Sequence, residues 1–192
     1  MQVQLGMLRT KEMRSVSADN PASLALVPEV GHALAAWLES NPETQRGVLI
    51  GGLALSLYAK PRYTEDVDML FLIGRDIPNE VAGFKRTRGH AFEEKKYQVE
   101  VEVTTADQIN LPMQVAHKVF ETAHKIGTLS VVSIDGLIVL KLFGSLAPKR
   151  RHKDLGDIQR ILDEHPTVSI DGWPIPSVLK AEFNKLKALY SD

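Results

Sequence analysis

Residues 47–73 read GVLIGGLALSLYAKPRYTEDVDMLFLI, and their reading decides the fold. Val48, Leu49 and Ile50 predict a short buried strand that stops at Gly51-Gly52 and passes into a helix over 53–60, ended by Pro61. A second strand is predicted over 65–73, where Asp66 and Asp68 sit among Val67, Met69, Leu70, Phe71 and Leu72. Side chains two apart on a strand share a face, so both carboxylates point the same way. Aspartate is disfavoured inside strands, and a buried carboxylate needs a partner or a cation. An all-oxygen donor pair suits a divalent ion such as Mg²⁺ or Mn²⁺. The glycine pair beside it lets a ligand approach the main chain, and the helix start offers unpaired N–H groups to a phosphate. The turn lacks both the GxxxxGK[ST] and the GxGxxG pattern, which excludes a P-loop and a Rossmann fingerprint.

Outward from this stretch, 97–103 alternates apolar and charged residues and predicts a strand with one face in the core. Glu100 and Glu102 share its other face, and either is a candidate third acid. Glu102 lies deeper among Val99, Val101 and Val103, with Glu100 as the fallback. Helices are predicted over 28–39, 77–84, 111–126, 137–143, 151–164 and 176–190, a basic turn over 85–90, and a further short strand over 129–132. The expected buried stripes include Ala116, Val119, Phe120 and Ala123 in one helix, and Val178, Leu179, Phe183, Leu186 and Leu189 in the last. Ser133 or Asp135 is the expected cap of the helix that carries Lys141. The order of elements implies an α/β (α+β) fold: a small mixed sheet flanked by helices, with a C-terminal helical segment. The expected division is an arm over 1–20, a core over 21–132 and a helical part over 133–192 packed on that core.

The 192 residues are 44% hydrophobic and contain no cysteine, which accommodates one core and excludes disulfides, thiolate metal sites and thiol catalysis. A net charge of −1 gives no global field for nucleic acid or anionic membrane. No secretory signal pattern and no apolar run of about 18–20 residues is present, so the expectation is a soluble, cytoplasmic protein. The six histidines show no ligand spacing. Trp37 and Trp173 read as core or interface anchors. Asp154 and Asp157 read as partners for Arg151, Lys153 or Arg160. The groups Lys85-Arg86-Thr87-Arg88 and Lys149-Arg150-Arg151 are the basic patches available to a polyanion.

Together, G-G, thirteen residues, D-x-D inside an apolar strand and an acid on a later strand resemble the nucleotidyltransferase superfamily related to DNA polymerase beta. Arg62-Tyr63-Thr64-Glu65-Asp66-Val67-Asp68 is similar to the R-x-T-x-D-h-D pattern of its small bacterial branches. Lys141, followed by Arg151-His152-Lys153-Asp154-Leu155-Gly156-Asp157-Ile158, resembles the K…R-x-K-D-x-x-D-h element of the abortive-infection, AbiEii-like toxins. The resemblance implies a two-metal enzyme that moves NMP from an NTP to a hydroxyl acceptor: a tRNA, a protein or a small molecule. It implies Asp66, Asp68 and Glu102 as metal-binding and catalytic residues, Gly51, Gly52, Arg62, Thr64 and Lys141 as nucleotide-binding residues, and an antitoxin partner. Many relatives carry aspartate where Glu102 stands, which keeps open the alternative of a non-catalytic nucleotide-binding or interaction module on the same fold.

Overall fold

Val48 and Leu49, bounded by Gly47 and the Gly51-Gly52 turn, form strand β1 (Val48–Leu49) of a computed structural model that describes residues 25, 27–149 and 151–190. The expected arm over 1–20 lies outside the described residues. On one side β1 pairs antiparallel with β2 (Val67–Phe71), Val48 opposite Leu70. On the other it pairs in parallel with β7 (Leu129–Val131), Val48 opposite Ser130. Strand β2 in turn pairs in parallel with β5 (Glu100–Thr105), which sets Asp68 directly beside Glu102. Strands β3 (Phe84–Arg86) and β4 (Phe92–Glu94) extend the sheet beyond β5, and β6 (His124–Ile126) closes it beyond β7. Among the described residues the result is one seven-stranded mixed sheet in the order β3-β4-β5-β2-β1-β7-β6. The expected α/β architecture with a C-terminal helical segment is the observed one.

Alternation explains why the strands present acids on one face and a core on the other. Along β5, Val101 and Val103 are buried while Glu100 and Glu102 are exposed. Helix α1 (Pro28–Ser40) buries Val30, Ala33, Leu34, Trp37 and Leu38, and Trp37 packs edge-on against Phe84 and Phe92 at centroid distances of 5.5 and 5.2 Å. Asn41 ends α1 in an extended conformation, and its side chain caps the following 3-10 turn at Pro42–Arg46. Helix α4 (Ile134–Gly144) is apolar on nearly every face, as expected of a helix covered on all sides. It lies against α5 (Arg151–Glu164), which has the expected bounds; of its expected stripe Leu155, Ile158, Ile161 and Leu162, all but Leu155 are fully buried. Ser133 is the residue that caps α4, accepting from the Gly136 N–H at 3.2 Å. Asp135 instead accepts from the Trp173 indole N–H at 2.9 Å, anchoring the 169–175 loop that leads to α6 (Ser177–Ala188).

Several expectations are corrected. The helix after the glycine turn, α2 (Gly51–Leu55), is five residues long and unwinds through i+3 turns before Pro61. Asp66 stands at a bend just ahead of β2 rather than inside it, and β2 ends at Phe71. No helix forms over 77–84: Gly83 at φ +83° breaks the run and leaves too few helical residues to form a stable nucleus. Ile77, Val81 and Phe84 are buried from a loop instead. The basic turn over 85–90 begins as strand, since Lys85 and Arg86 belong to β3, paired with Glu93 and Phe92. The helix expected over 111–126 is α3 (Met113–Thr122), and His124–Ile126 turns back as β6. Gly127, the residue after the helix expected over 111–126, is a positive-φ residue of the two-residue turn between Ile126 and Leu129. Phe120 and Ala123 are only partly buried in consequence. In α6, Leu179 and Phe183 are buried but Val178 is 66% exposed, and Leu189, just past the end of the helix, is 69% exposed.

Candidate metal and nucleotide site

Strand pairing and a bend assemble the acids. Asp68 and Glu102 are neighbours across β2 and β5, and the chain bends at Asp66 so that its carboxylate turns back towards them. One oxygen from each of Asp66, Asp68 and Glu102 lies within 4.8 Å of the others. Of the two acids left open on β5, geometry gathers Glu102; Glu100 pairs with Glu93 of β4 and is outside the cluster. Asp66 and Asp68 are partly buried and Glu102 is exposed, so the cluster has a dry floor and an open side.

The donor set fits a hard divalent cation. Six-coordinate Mg²⁺ has ligand distances of about 2.0–2.1 Å, so opposite oxygens in its shell stand about 4.2 Å apart. Three carboxylate oxygens within 4.8 Å of one another are near enough for side-chain rotation to bring them to one ion. Electrostatics point the same way. Burial, followed by the neighbouring Asp66 and Glu102 carboxylates, pushes Asp68 up to about 6, against the smaller opposing effects of the Lys141 ammonium and a hydrogen bond from the Gly52 N–H. Three acids held this closely form a site whose charge a cation relieves.

A pH dependence follows. Below about pH 6 a cation must displace the Asp68 proton, so Mn²⁺ affinity should fall by roughly tenfold per pH unit there and level off above it. Isothermal titration from pH 5 to pH 8, in buffers of different ionisation heat, checks this through the proton released. Equal affinities at the two ends would contradict it.

The glycine turn is shaped around Asp68. Gly51 adopts φ +70°, and a Cβ there would stand 1.8 Å from Asp68 Oδ2. Only glycine gives both the left-handed backbone and the space. Since the Gly52 N–H donates to Asp68, one of the donors expected for a phosphate already serves the acid. Thr64 Oγ1 donates to Asp66 Oδ1 at 2.8 Å and orients it.

Arg62 and Lys141 lie in a buried ionic network that the sequence reading missed. Arg62 Nε and Nη2 reach the two oxygens of Asp157 at 3.0 and 3.3 Å. Lys141 Nζ lies 2.8 Å from Asp157 Oδ2 and 3.0 Å from Asp154 Oδ1. Lys141 is 8% exposed, so it does not snorkel to solvent. Asp154 and Asp157 therefore pair with Lys141 and Arg62, not with Arg151, Lys153 or Arg160, and Arg151 pairs with Glu182 of α6 at 2.8 Å. A signal was present: Lys141 is a lone charge in an apolar helix, and Asp154 and Asp157 fall on the same face of α5 as Ile158 and Ile161. Opposite charges on two buried faces belong together.

The remaining features are structural. Trp37 is in the core, and Trp173 carries the Lys118 ammonium 5.2 Å over its ring. His32 stacks on Tyr97 at 5.4 Å, and His90 contacts Arg86. Arg86 lies over the Phe92 ring on the face opposite the acids. No helix among the described residues is long and apolar enough to cross a membrane.

Comparison with known proteins bears on this geometry. Residues 32–112, which contain the glycine turn, all three acids and the strands that carry them, match the family model of the AbiEii nucleotidyl transferase toxin of Type IV toxin–antitoxin systems. The structure of JHP933 from Helicobacter pylori is 15% identical, with 86% of this chain and 93% of that one covered, at a TM-score of 0.35. A second H. pylori protein, proposed to be a nucleotidyltransferase, is 15% identical over 86% of this chain and 96% of its own, at a TM-score of 0.33. No curated protein matches the chain in sequence.

Proposed function

We propose that this chain, with an AbiEii-type nucleotidyltransferase segment at residues 32–112, transfers NMP from an NTP to a hydroxyl of an acceptor and acts as the toxin of a toxin–antitoxin pair. The observation that carries the reading is the approach of Asp66, Asp68 and Glu102 to within 4.8 Å across two parallel strands, inside the matched segment. These carboxylates would hold Mg²⁺ or Mn²⁺, which supplies electrostatic stabilisation to an in-line displacement at the α-phosphorus. Asp68 forms the dry wall of the site and Asp66 is aimed by Thr64. Glu102, on the open side, is placed to take the proton of the acceptor hydroxyl. The acceptor oxygen forms a bond to the α-phosphorus, the α–β bridge breaks, and pyrophosphate leaves.

In this reading Gly51 and Gly52 receive the triphosphate, Thr64 holds Asp66, and Arg62 and Lys141 act on the triphosphate from behind the site through their charge. Their ion pairs with Asp157 and Asp154 fix the two cations in place rather than leaving them free to swing. The acceptor is a tRNA, a protein or a small molecule, and the family description supports an antitoxin gene product as counterpart.

The test is incubation with each α-labelled NTP, Mg²⁺ and a whole-cell lysate, followed by separation into RNA, protein and small-molecule fractions. Label should enter one fraction and vanish in the Asp66→Asn/Asp68→Asn variant, a loss of at least about a thousandfold given the size of the electrostatic contribution. Equal labelling by that variant would overturn the assignment.

A further inference from the structure

We propose that Asp157 is a positioning residue for the metal site: through Arg62 it holds the stretch of chain that delivers Asp66 and Asp68 to Glu102. The proposal rests on reading the triad as a metal site. Residues 61–66 run as irregular chain between α2 and β2, so no strand ladder sets their path. Arg62 ties that path to the helical layer. Its guanidinium meets both oxygens of Asp157, at 3.0 and 3.3 Å, a fork that fixes direction as well as distance. The third nitrogen turns back to donate to the Tyr63 carbonyl at 3.3 Å, so the same group pins its own backbone.

Packing carries the constraint onward. A Cβ on Gly52 would stand 2.9 Å from Arg62 Nη2 and 3.1 Å from Thr64 Oγ1, so both side chains are seated against the glycine turn. Thr64 then donates to Asp66, and the Gly52 N–H donates to Asp68. The path runs from α5 through Asp157, Arg62, and Thr64 with Gly52, to both acids. Asp154, one turn earlier on α5 and also buried, meets Lys141 but none of this segment. It is the internal control: a buried acid of the same helix, paired with Lys141 and in contact with neither Arg62 nor the 61–66 chain.

Mn²⁺ dissociation constants of the full chain, read by the paramagnetic signal of free Mn²⁺ alongside thermal melts, test the proposal. Wild type should bind and Asp68→Asn should not. Asp157→Asn should weaken binding by about 10–100-fold, as loss of groups supporting metal ligands does. Asp154→Asn should lower Tm comparably yet keep its dissociation constant within about twofold, and Arg62→Lys, which keeps the charge but loses the fork, should weaken binding with little change in Tm. Unchanged binding in Asp157→Asn, or an equal loss in Asp154→Asn, would overturn the proposal. If Asp157→Asn does not melt cooperatively, Arg62→Lys decides, and wild-type binding there overturns it. Wild type that binds no better than Asp68→Asn would instead overturn the metal reading itself.

Discussion

Asp68→Asn should make the metal-free protein more stable while removing the transfer activity proposed for it. A carboxylate whose pKa is raised from 3.8 to about 6 binds its proton more tightly folded than unfolded. Its charged form therefore destabilises the fold above about pH 6, and the effect fades as pH falls from 6 towards 4. Asparagine removes that charge and keeps an oxygen to accept from the Gly52 N–H. At pH 7.5 the gain should be about 1–3 kcal/mol, and about 2–4 °C in Tm per kcal/mol in a domain of this size. At pH 4.5 roughly a third of that gain, about 1 kcal/mol, should remain. Saturating Mn²⁺ should reverse the order, because only wild type gains binding free energy. Calorimetric scans at both pH values, with and without Mn²⁺, give the four comparisons. A variant less stable than wild type at pH 7.5 without metal would show that burial and the neighbouring acids do not penalise the Asp68 charge.

Lys141→Met should have the opposite effect on stability. Methionine replaces most of the buried volume but not the ammonium, which leaves Asp154 without its cation and Asp157 with Arg62 alone. Removing one partner of a buried pair costs about 3–5 kcal/mol, enough to take about 6–20 °C from Tm. A second change, Asp154→Asn, should recover part of the loss, since it removes the charge that was left unpaired. Urea melts of the two single variants and the double variant measure the coupling. A loss below about 1 kcal/mol would be that of a surface pair and would contradict the burial of Lys141.

The acid triad was legible because its signals are local. D-x-D in an apolar run, a strict alternation around Glu102 and a G-G break each declare themselves within ten residues. The strand pairing that selects Glu102 over Glu100 is not local, since both acids share a face and only the registration of β5 on β2 separates them. The hairpins escaped for a related reason. Gly127 stops a helix and turns a hairpin with the same positive φ, and pairing with β7 decides between the two. Residues 77–84 have a helix-like start at Asp76 and Pro78, but Gly83 and the burial of Phe84 against Trp37 override it. The ionic network was the least legible part, because Arg62 and Asp157 are 95 residues apart and nothing in either segment names the other.

The pairing of Asp68 with Glu102 also says something about errors. A one-residue slip of β5 along β2 would leave a plausible sheet but put a valine where Glu102 stands. What guards against it is greasy rather than charged: Val101 and Val103 are 0% and 4% exposed, and a slip would push both into water. Two side chains that touch no substrate thus act as the key that admits only one alignment of the acids. A substitution such as Val101→Thr would be read first as a spoiled alignment and only second as a loosened core.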